Sequence, residues 1–600
     1  MAHLAHLVHL AHRLDRTSRG SALVALLLAV AVVSLPTSGF AGDSKDAGPC
    51  DPSSEPWIYP AEAVDTTDPV SWARFAWDGF VALNWPQLEG GAPGEPDTSV
   101  TICDEPNGRP AFLQWMQKEQ LLLPDGASPG TWDNPTFSTP MFTPDDGGPT
   151  LPLLGALSMT TDPDLVDEFD EAFSHRPLLD QNGRYVLFQI FLNRSEFEYI
   201  SQNGYYDAAN QYAAFQPGGE FVGFPATGQP ADFDPPIDLP EWAQQGAIEL
   251  KASWKQLDEA EIASGRFFMQ DVYYASNLSR SESPCGPVTV GLVGLHVLQL
   301  TPSTGATWFW ATFEQVDNVD VLPGNPNGAP SFNPGSDPDV DCPPPYANGY
   351  SCNGEECTPS DPGGTADCPP YAPESGELPS VCDADPSRAV NVSRIPEMVT
   401  PDDVESVNDE YRAQLPAPWK YYRLLNTIQP DPAGPSCIPP NESNTVNTAY
   451  LTNVTMETYT QYYQFISLPK CDGTDISPMS MNCTDCHSVA KPLGAPTVLY
   501  EGVNFPDPQY QIFSFMLNNA NNSCSADLNH DRVVDSADLG ILIANWGSSQ
   551  SRDQLDGNAP VNGGDIGILI ADWGACPDSA PLAPPEDESG FERLARSIGR

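Results

Sequence analysis

Val288-Thr289-Val290-Gly291-Leu292-Val293-Gly294-Leu295-His296-Val297, continued by Leu298-Gln299-Leu300, is a long apolar run broken by one imidazole. It is rich in β-branched residues and reads as a strand. A second run follows at once. Thr307 to Val316, TWFWATFEQV, is aromatic on both faces, which marks a central strand. Working outward, Ala247-Ile248-Glu249-Leu250-Lys251-Ala252-Ser253-Trp254 alternates apolar with polar, as a half-buried strand does. Tyr185 to Phe191 and Arg266 to Tyr274 complete the set. The pattern predicts an α+β fold: a mainly antiparallel β core between about 180 and 320 with peripheral helices. One helix is expected over Ser71 to Pro86, where Trp72, Phe75, Ala76, Phe80 and Val81 recur at near-helical spacing before a proline stop. Arg109 to Leu123 is a second helix candidate.

The chemistry sits further along, in Met481-Asn482-Cys483-Thr484-Asp485-Cys486-His487-Ser488. Cys-x-x-Cys-His is the signature for covalent attachment of a c-type haem. Two thiols three positions apart can add across the two vinyl groups, and the adjacent imidazole then becomes the proximal iron ligand. This assigns haem c to Cys483, Cys486 and His487. The competing reading is a disulfide or half a zinc site, but no second Cys-x-x-Cys follows at zinc-ribbon spacing.

What fills the sixth position of the iron separates electron transfer from catalysis. His175 lies in a polar loop, and His530 falls in the calcium loop described below. His296 is left as the distal-ligand candidate. Its competing reading is a buried histidine satisfied by the backbone. Met479 and Met481 precede the motif too closely to reach the other haem face, whereas Met456 and Met516 are alternatives that also suit a core.

Composition narrows the partners. Across 600 residues, 81 Asp and Glu stand against 26 Lys and Arg, a formal charge of −55. Such a surface repels phosphate backbones and anionic membranes, so nucleic acid is excluded as a partner. Arg13, Arg16 and Arg19 precede an apolar run from Ser21 to Val33, and Gly39-Phe40-Ala41 offers small residues for cleavage. Residues 1–41 therefore read as a signal peptide, with an uncleaved anchor as the alternative. No later run is apolar and long enough to span a bilayer. The expected location is periplasmic or extracellular, where disulfides persist and c-type haem is attached.

Residues 42–321 form the expected N-terminal mixed core region and residues 389–520 the haem-binding region. Between them, residues 322–388 are dominated by Pro and Gly and hold Cys342, Cys352, Cys357, Cys368 and Cys382. A disulfide-held insert is expected, with a metallothionein-like metal cluster as the runner-up.

Near the C-terminus, Asp527, Asn529, Asp531, Asp535 and Asp538 occupy positions 1, 3, 5, 9 and 12 of a loop, with the Val533 carbonyl at position 7. These are EF-hand calcium positions. Leu539, Leu542, Ile543 and Trp546 follow at helical spacing, and Gly547 ends the run. The pattern recurs 27 residues on, with Ile566, Leu569, Ile570 and Trp573. The second loop supplies Asp556, Asn558, Asn562 and Asp565. Gln554 replaces its first acid and Pro560 stands at position 7, so it should bind more weakly. An Asp-rich loop without metal is the competing reading for both.

Two resemblances follow. FVALNWP (Phe80 to Pro86), GLVGLHVLQLTP (Gly291 to Pro302), TWFWATFEQVDN (Thr307 to Asn318) and CTDCHSVA (Cys483 to Ala490) resemble exported bacterial cytochrome c family proteins over residues 70–520, the Cys-rich insert excepted. That resemblance implies one haem per chain and no settled reaction. The duplicated loop-helix pair resembles the dockerin type I module over residues 525–575. It implies docking to a cohesin-like partner, and the departures in the second loop put two-site binding in doubt.

Three functions compete. The first is a monohaem cytochrome that transfers electrons to a redox partner protein and docks through its calcium module. The second is a peroxidase-like or oxidase-like haem enzyme or sensor. The third is a non-redox exported docking or structural protein. Electron transfer leads, because no nucleophile triad, phosphate loop or zinc-protease helix is present, although the length exceeds what one haem needs. Cys524 and Cys576 flank the 524–576 module, and residues 577–600 form a polar tail. A disulfide clasping the two cysteines is expected, and mass spectrometry of unreduced peptides should recover them as one linked pair.

Overall fold

The computed structural model describes residues 48–123, 126–139, 141–145, 147–154, 178–216, 219, 221, 223–274, 284–304, 308–320, 325–333, 384, 386, 392, 394, 399–428, 451–458, 487, 490–496, 512, 514–520, 526–528, 533–547, 555, 561–571 and 573–575, and backbone ladders at 350–352, 357–359, 467–469, 476–478, 497–500 and 503–506. The expected leader, most of the Cys-rich insert, His175 and the polar tail lie outside the described residues.

Nine strands make one mixed, mostly antiparallel sheet. They are β1 (Met116–Gln117), β2 (Met141–Phe142), β3 (Leu151–Leu154), β4 (Val186–Leu192), β5 (Ile248–Gln256), β6 (Met269–Tyr274), β7 (Cys285–Gln299), β8 (Phe309–Gln315) and β9 (Tyr422–Ile428). Their order is β1-β4-β5-β7-β6-β3-β2, with β8 against β7 and β9 against β8. Among the described strands only β3 and β6 run parallel. The five strands read from the sequence are all present within a few residues of their expected limits. The sheet also draws in β9, which lies beyond the Cys-rich insert, so the core is not confined to residues 180–320.

Strand β7 is the hub. One edge pairs with β5 from Val290 to Gln299. The other edge is divided: β6 takes Cys285 to Gly291 and β8 takes Gly294 to Gln299. Leu292 and Val293 sit at the division, and the β5–β7 register shifts there, between Ser253 and Trp254. A branch of this kind strands backbone groups that a continuous ladder would pair. Side chains repair it. The Tyr422 hydroxyl donates to the Leu292 carbonyl at 2.9 Å and accepts from the Phe268 N–H at 3.0 Å. The Asn318 amide donates to the Val293 carbonyl at 2.8 Å.

The helices are α1 (Pro69–Leu83), α2 (Lys118–Leu121), α3 (Arg194–Asn203), α4 (Ala208–Ala214), α5 (Glu259–Ser264), α6 (Asp402–Gln414), α7 (Ser536–Ala544) and α8 (Gly563–Ala571). Helix α1 begins two residues earlier than expected because Asp68 caps it through the Val70 N–H and Pro69 suits the first turn. With α6 it covers one sheet face. Trp77 packs edge-on to Phe313 and Phe80 stacks on the same ring, while the Trp77 indole donates to Asn408 at 2.9 Å. The helix expected over Arg109 to Leu123 does not form as one piece. A 3-10 turn at Ala111–Gln114, strand β1 and the single turn α2 replace it, because Met116 and Gln117 pair with Leu192 and Phe191 on β4.

The C-terminal helices share a small apolar cluster of Ala526, Val534, Leu542, Val561 and Leu569. The apolar stripes read there are only partly buried. Ile543, Trp546, Ile570 and Trp573 keep half or more of their surface exposed. Among the described residues no helix is long and apolar enough to cross a membrane.

Tyr422→Phe removes the hydroxyl that serves both sides of the branch. Chemical denaturation should show a loss of about 1–3 kcal/mol, since a buried carbonyl and a buried N–H both lose their partner.

Candidate functional site

The sheet face opposite α1 carries two apolar clusters with a polar seam between them. One cluster gathers Leu192, Leu298, Trp310 and Ile428 under α3. The other gathers Val186, Phe188, Val293, Val454 and Met456. Register explains the seam. Lys251, His296 and Thr312 lie side by side on β5, β7 and β8, followed one row on by Ser253, Gly294 and Glu314. Alternation in β5 suggests a solvent face for Glu249, Lys251 and Ser253. Instead the segment 451–458 and helix α3 cover this face, so Glu249 is 7% exposed and Ser253 is fully buried.

His296 is 6% exposed, and its Nε2 lies 2.7 Å from Glu457 Oε1. The histidine is therefore satisfied by a carboxylate, where the sequence offered the backbone as the bland alternative. Burial alone would raise the Glu457 carboxyl, but the His296 ring and the Asn453 N–H outweigh it and hold it below its ordinary value. Asn453 also donates to Thr312 Oγ1 at 2.9 Å, and Ser253 and Thr455 share a hydroxyl contact of 2.7 Å. Glu314 accepts from the Val454 N–H at 2.8 Å and from Arg394 at 2.5 Å. Gly294 permits this closeness. A Cβ there would stand 2.4 Å from Thr455 Oγ1 and 2.7 Å from Ser253 Oγ.

His487 reaches the same face. Its ring centroid is 4.6 Å from Trp310, edge-on, and 4.8 Å from Phe515. Trp310 pairs with Leu298, one side-chain row along from the Thr312–His296 pair. Three hydrogen bonds suspend the His487 segment from the sheet. The Ala490 N–H donates to the His487 carbonyl at 2.9 Å, Ile512 N–H to the Ala490 carbonyl at 3.2 Å, and the Trp308 indole to the Ile512 carbonyl at 2.7 Å. Trp308 holds this bond with φ of 57°, a left-handed backbone that a bulky side chain rarely adopts. Cys483 and Cys486 lie outside the described residues, as do Met479 and Met481. Met516 is buried in the cluster around Trp310, beside Phe515, and Met456 belongs to the other cluster.

A third group lies on the same sheet face and was not singled out from the sequence. Glu196, in the first turn of α3, faces Glu249 on β5 inside the protein. Burial, and then the Glu249 charge, raise the Glu196 carboxyl well above its ordinary value. Burial pushes Glu249 up to about 7, against the opposing hydrogen bonds of Ser514 and Glu196. As two carboxylates, the Glu196 oxygens would have no donor among the described residues. One proton shared between the acids supplies it. Eighty-one acids in one chain hide such a pair. The available signal was an acid in an otherwise apolar strand, Ile248-Glu249-Leu250. The seam and the pair together bring two buried acids, an imidazole–carboxylate couple and Lys251 onto one covered face.

In the C-terminal pair, Asp527, Asp538 and Asp565 are all buried to within 1%. Asp535 caps α7 through the Ala537 N–H at 2.6 Å, and Asp538 accepts from the Asp535 N–H at 2.8 Å. The second loop repeats this, with Asn562 accepting from Gly564 and Asp565 from the Asn562 N–H at 2.7 Å. Val533 lies in a two-residue ladder with Ala575. Buried acids in so small a core suit a cation. Asn529, Asp531, His530, Asp556, Asn558, Cys524 and Cys576 lie outside the described residues. Among the described residues no three His, Cys, Asp or Glu side chains converge on a metal position.

Comparison with protein-family models, curated proteins and solved structures finds no match to this chain.

The carboxyl pair makes stability depend on pH with a defined sign. The folded value of Glu249, about 7, lies above its ordinary 4.5, so its contribution is complete below about pH 4.5 and is lost as pH rises through 7. Replacing both acids, Glu196→Gln with Glu249→Gln, removes that dependence. Between pH 4.5 and 8, thermal melting of the wild type should fall relative to the variant by a few degrees.

Proposed function

We propose that the chain is an exported monohaem c-type cytochrome that transfers electrons and carries a calcium-stabilised docking module at its C-terminus. The observation that carries the reading is His487 of the Cys-x-x-Cys-His motif, half-buried against Trp310 and Phe515 on the sheet. An imidazole on an aromatic wall suits a proximal ligand, because apolar rings exclude water from the iron side. Cys483 and Cys486 would hold the haem through thioethers, and His487 would ligate the iron. When bound, the haem supplies one-electron chemistry. His296 is the proposed distal partner. With Nε2 engaged by Glu457, it would ligate through Nδ1 or release that carboxylate. The Cys50–Cys103 disulfide supports an oxidising compartment. Buried Asp527, Asp538 and Asp565 support calcium in the C-terminal pair, and the exposed apolar side chains there support docking to a cohesin-like partner.

A second reading, a haem enzyme or sensor, is favoured by the buried Glu196–Glu249 pair. A shared proton on the face that holds His487 is more than a simple electron carrier needs.

Protein made in a host with c-haem maturation should show a sharp reduced α-band after dithionite, the mark of two strong axial ligands. His296→Ala should convert that spectrum to high spin. A wild-type spectrum already high-spin and shifting with carbon monoxide or peroxide favours the enzyme or sensor. No haem absorbance sinks both and leaves the docking protein.

A further inference from the structure

Three ionisable side chains that the proposed function does not use meet inside the protein. Lys255 stands near the end of β5, Glu261 lies in α5, and Asp180 precedes β4. Lys255 Nζ is 2.5 Å from Glu261 Oε1, 3.5 Å from Asp180 Oδ2 and 3.4 Å from Ser331 Oγ. None of the three charged side chains is more than 3% exposed. Leu179, Leu257 and Phe332, close to them in sequence, belong to one buried apolar cluster. Taking three ions so far from water is costly, and their mutual attraction offsets little more than that cost.

The two oxygens of Asp180 are held differently. Oδ1 accepts from the N–H groups of Asn182 and Arg184, each at 2.9 Å. Oδ2 faces the amine and, among the described residues, accepts no hydrogen bond. An addition at Cγ gathers negative charge on one oxygen, and two fixed backbone donors on Oδ1 stabilise it there. The other oxygen can take protons and leave. Glu261 is oriented as well. Its Oε2 accepts from the Asp258 N–H at 3.0 Å, which turns Oε1 to Nζ.

We propose that Lys255 and Asp180 join in an amide, a self-formed cross-link between β5 and the turn before β4, with Glu261 carrying the protons. A proton passes from the Lys255 ammonium through Glu261 to Oδ2. This leaves a neutral amine beside a neutral acid, the forms that a dry site favours. The Nζ lone pair forms a bond to Cγ, and Oδ1 carries the charge against its two N–H donors. A second proton moves from nitrogen to Oδ2 by the same route, the Cγ–Oδ2 bond breaks, and one water leaves. Glu261 ends as it began, a carboxylate, now facing the amide N–H. Two of the three buried charges disappear, which favours the product. Holding the groups together favours the rate, since well-oriented partners reach effective concentrations on the order of 10⁵–10⁸ M. The cross-link restrains the unfolded chain as a disulfide does, and it depends on neither haem nor calcium.

The test is peptide mapping of the full-length protein by mass spectrometry after reduction, alkylation and trypsin. The peptide containing Asp180 should be joined to the one containing Lys255, lighter than their sum by one water, with no cleavage after Lys255. Lys255→Arg keeps the cation but should release the Asp180 peptide unlinked. Glu261→Gln keeps the shape and should leave that peptide largely unlinked, because the proton carrier is gone. Thermal melts would confirm that both variants fold, each at a lower temperature than the wild type. The wild-type map decides by itself if a variant does not fold. Separate Asp180 and Lys255 peptides from the wild type, a link that persists in Lys255→Arg, or full linkage in Glu261→Gln would overturn the assignment.

Discussion

Strand β7 serves three neighbours, and the architecture follows from how its 15 residues divide among them. Its β5 edge is continuous apart from one shift in register, whereas its other edge passes from β6 to β8 at Leu292 and Val293. A sheet can branch only where the stranded carbonyls and N–H groups find other partners. Tyr422 and Asn318 provide them. Because Tyr422 opens β9, the segment beyond the Cys-rich insert is bound to the centre of the first half of the chain. The same strand carries His296, so the branch also fixes the position of the seam.

Burial of both faces sets the character of the site. Helices α1 and α6 close one face with aromatic packing. The other is closed by α3, by the segment 451–458 and by the segment around Phe515, over strands whose second face is polar. Polar groups under cover must pair with one another. His296 takes Glu457, Glu314 takes Arg394, and Ser253 takes Thr455. Among the described residues Glu196 and Glu249 face each other without a cation, and burial raises both carboxyls so that a shared proton relieves the pair. Beside them, the Trp308 indole bond holds the His487 segment against the sheet despite an unfavourable backbone.

The strands were legible because β-branched and aromatic runs such as Thr307 to Val316 have no other comfortable conformation. Helix α1 was legible from its periodicity. The segment Arg109 to Leu123 misled, since its local pattern suits a helix while Met116 and Gln117 are recruited to the edge of β4. Of the site, the motif around His487 and the position of His296 could be read directly. Glu457 and Glu196 could not. Both are ordinary in sequence, and their partners lie far away along the chain.

Sequence alone determined the elements and the local chemistry: strand periodicity, helix caps, the Cys-x-x-Cys-His spacing and the twofold repeat of acids near the C-terminus. Each depends on neighbours within a few residues, where backbone geometry fixes which side chains meet. Tertiary structure alone decided which polar side chains are deprived of water and what then faces them. That is a property of long-range covering, so only the folded sheet could place Glu249 against Glu196 and His296 against Glu457.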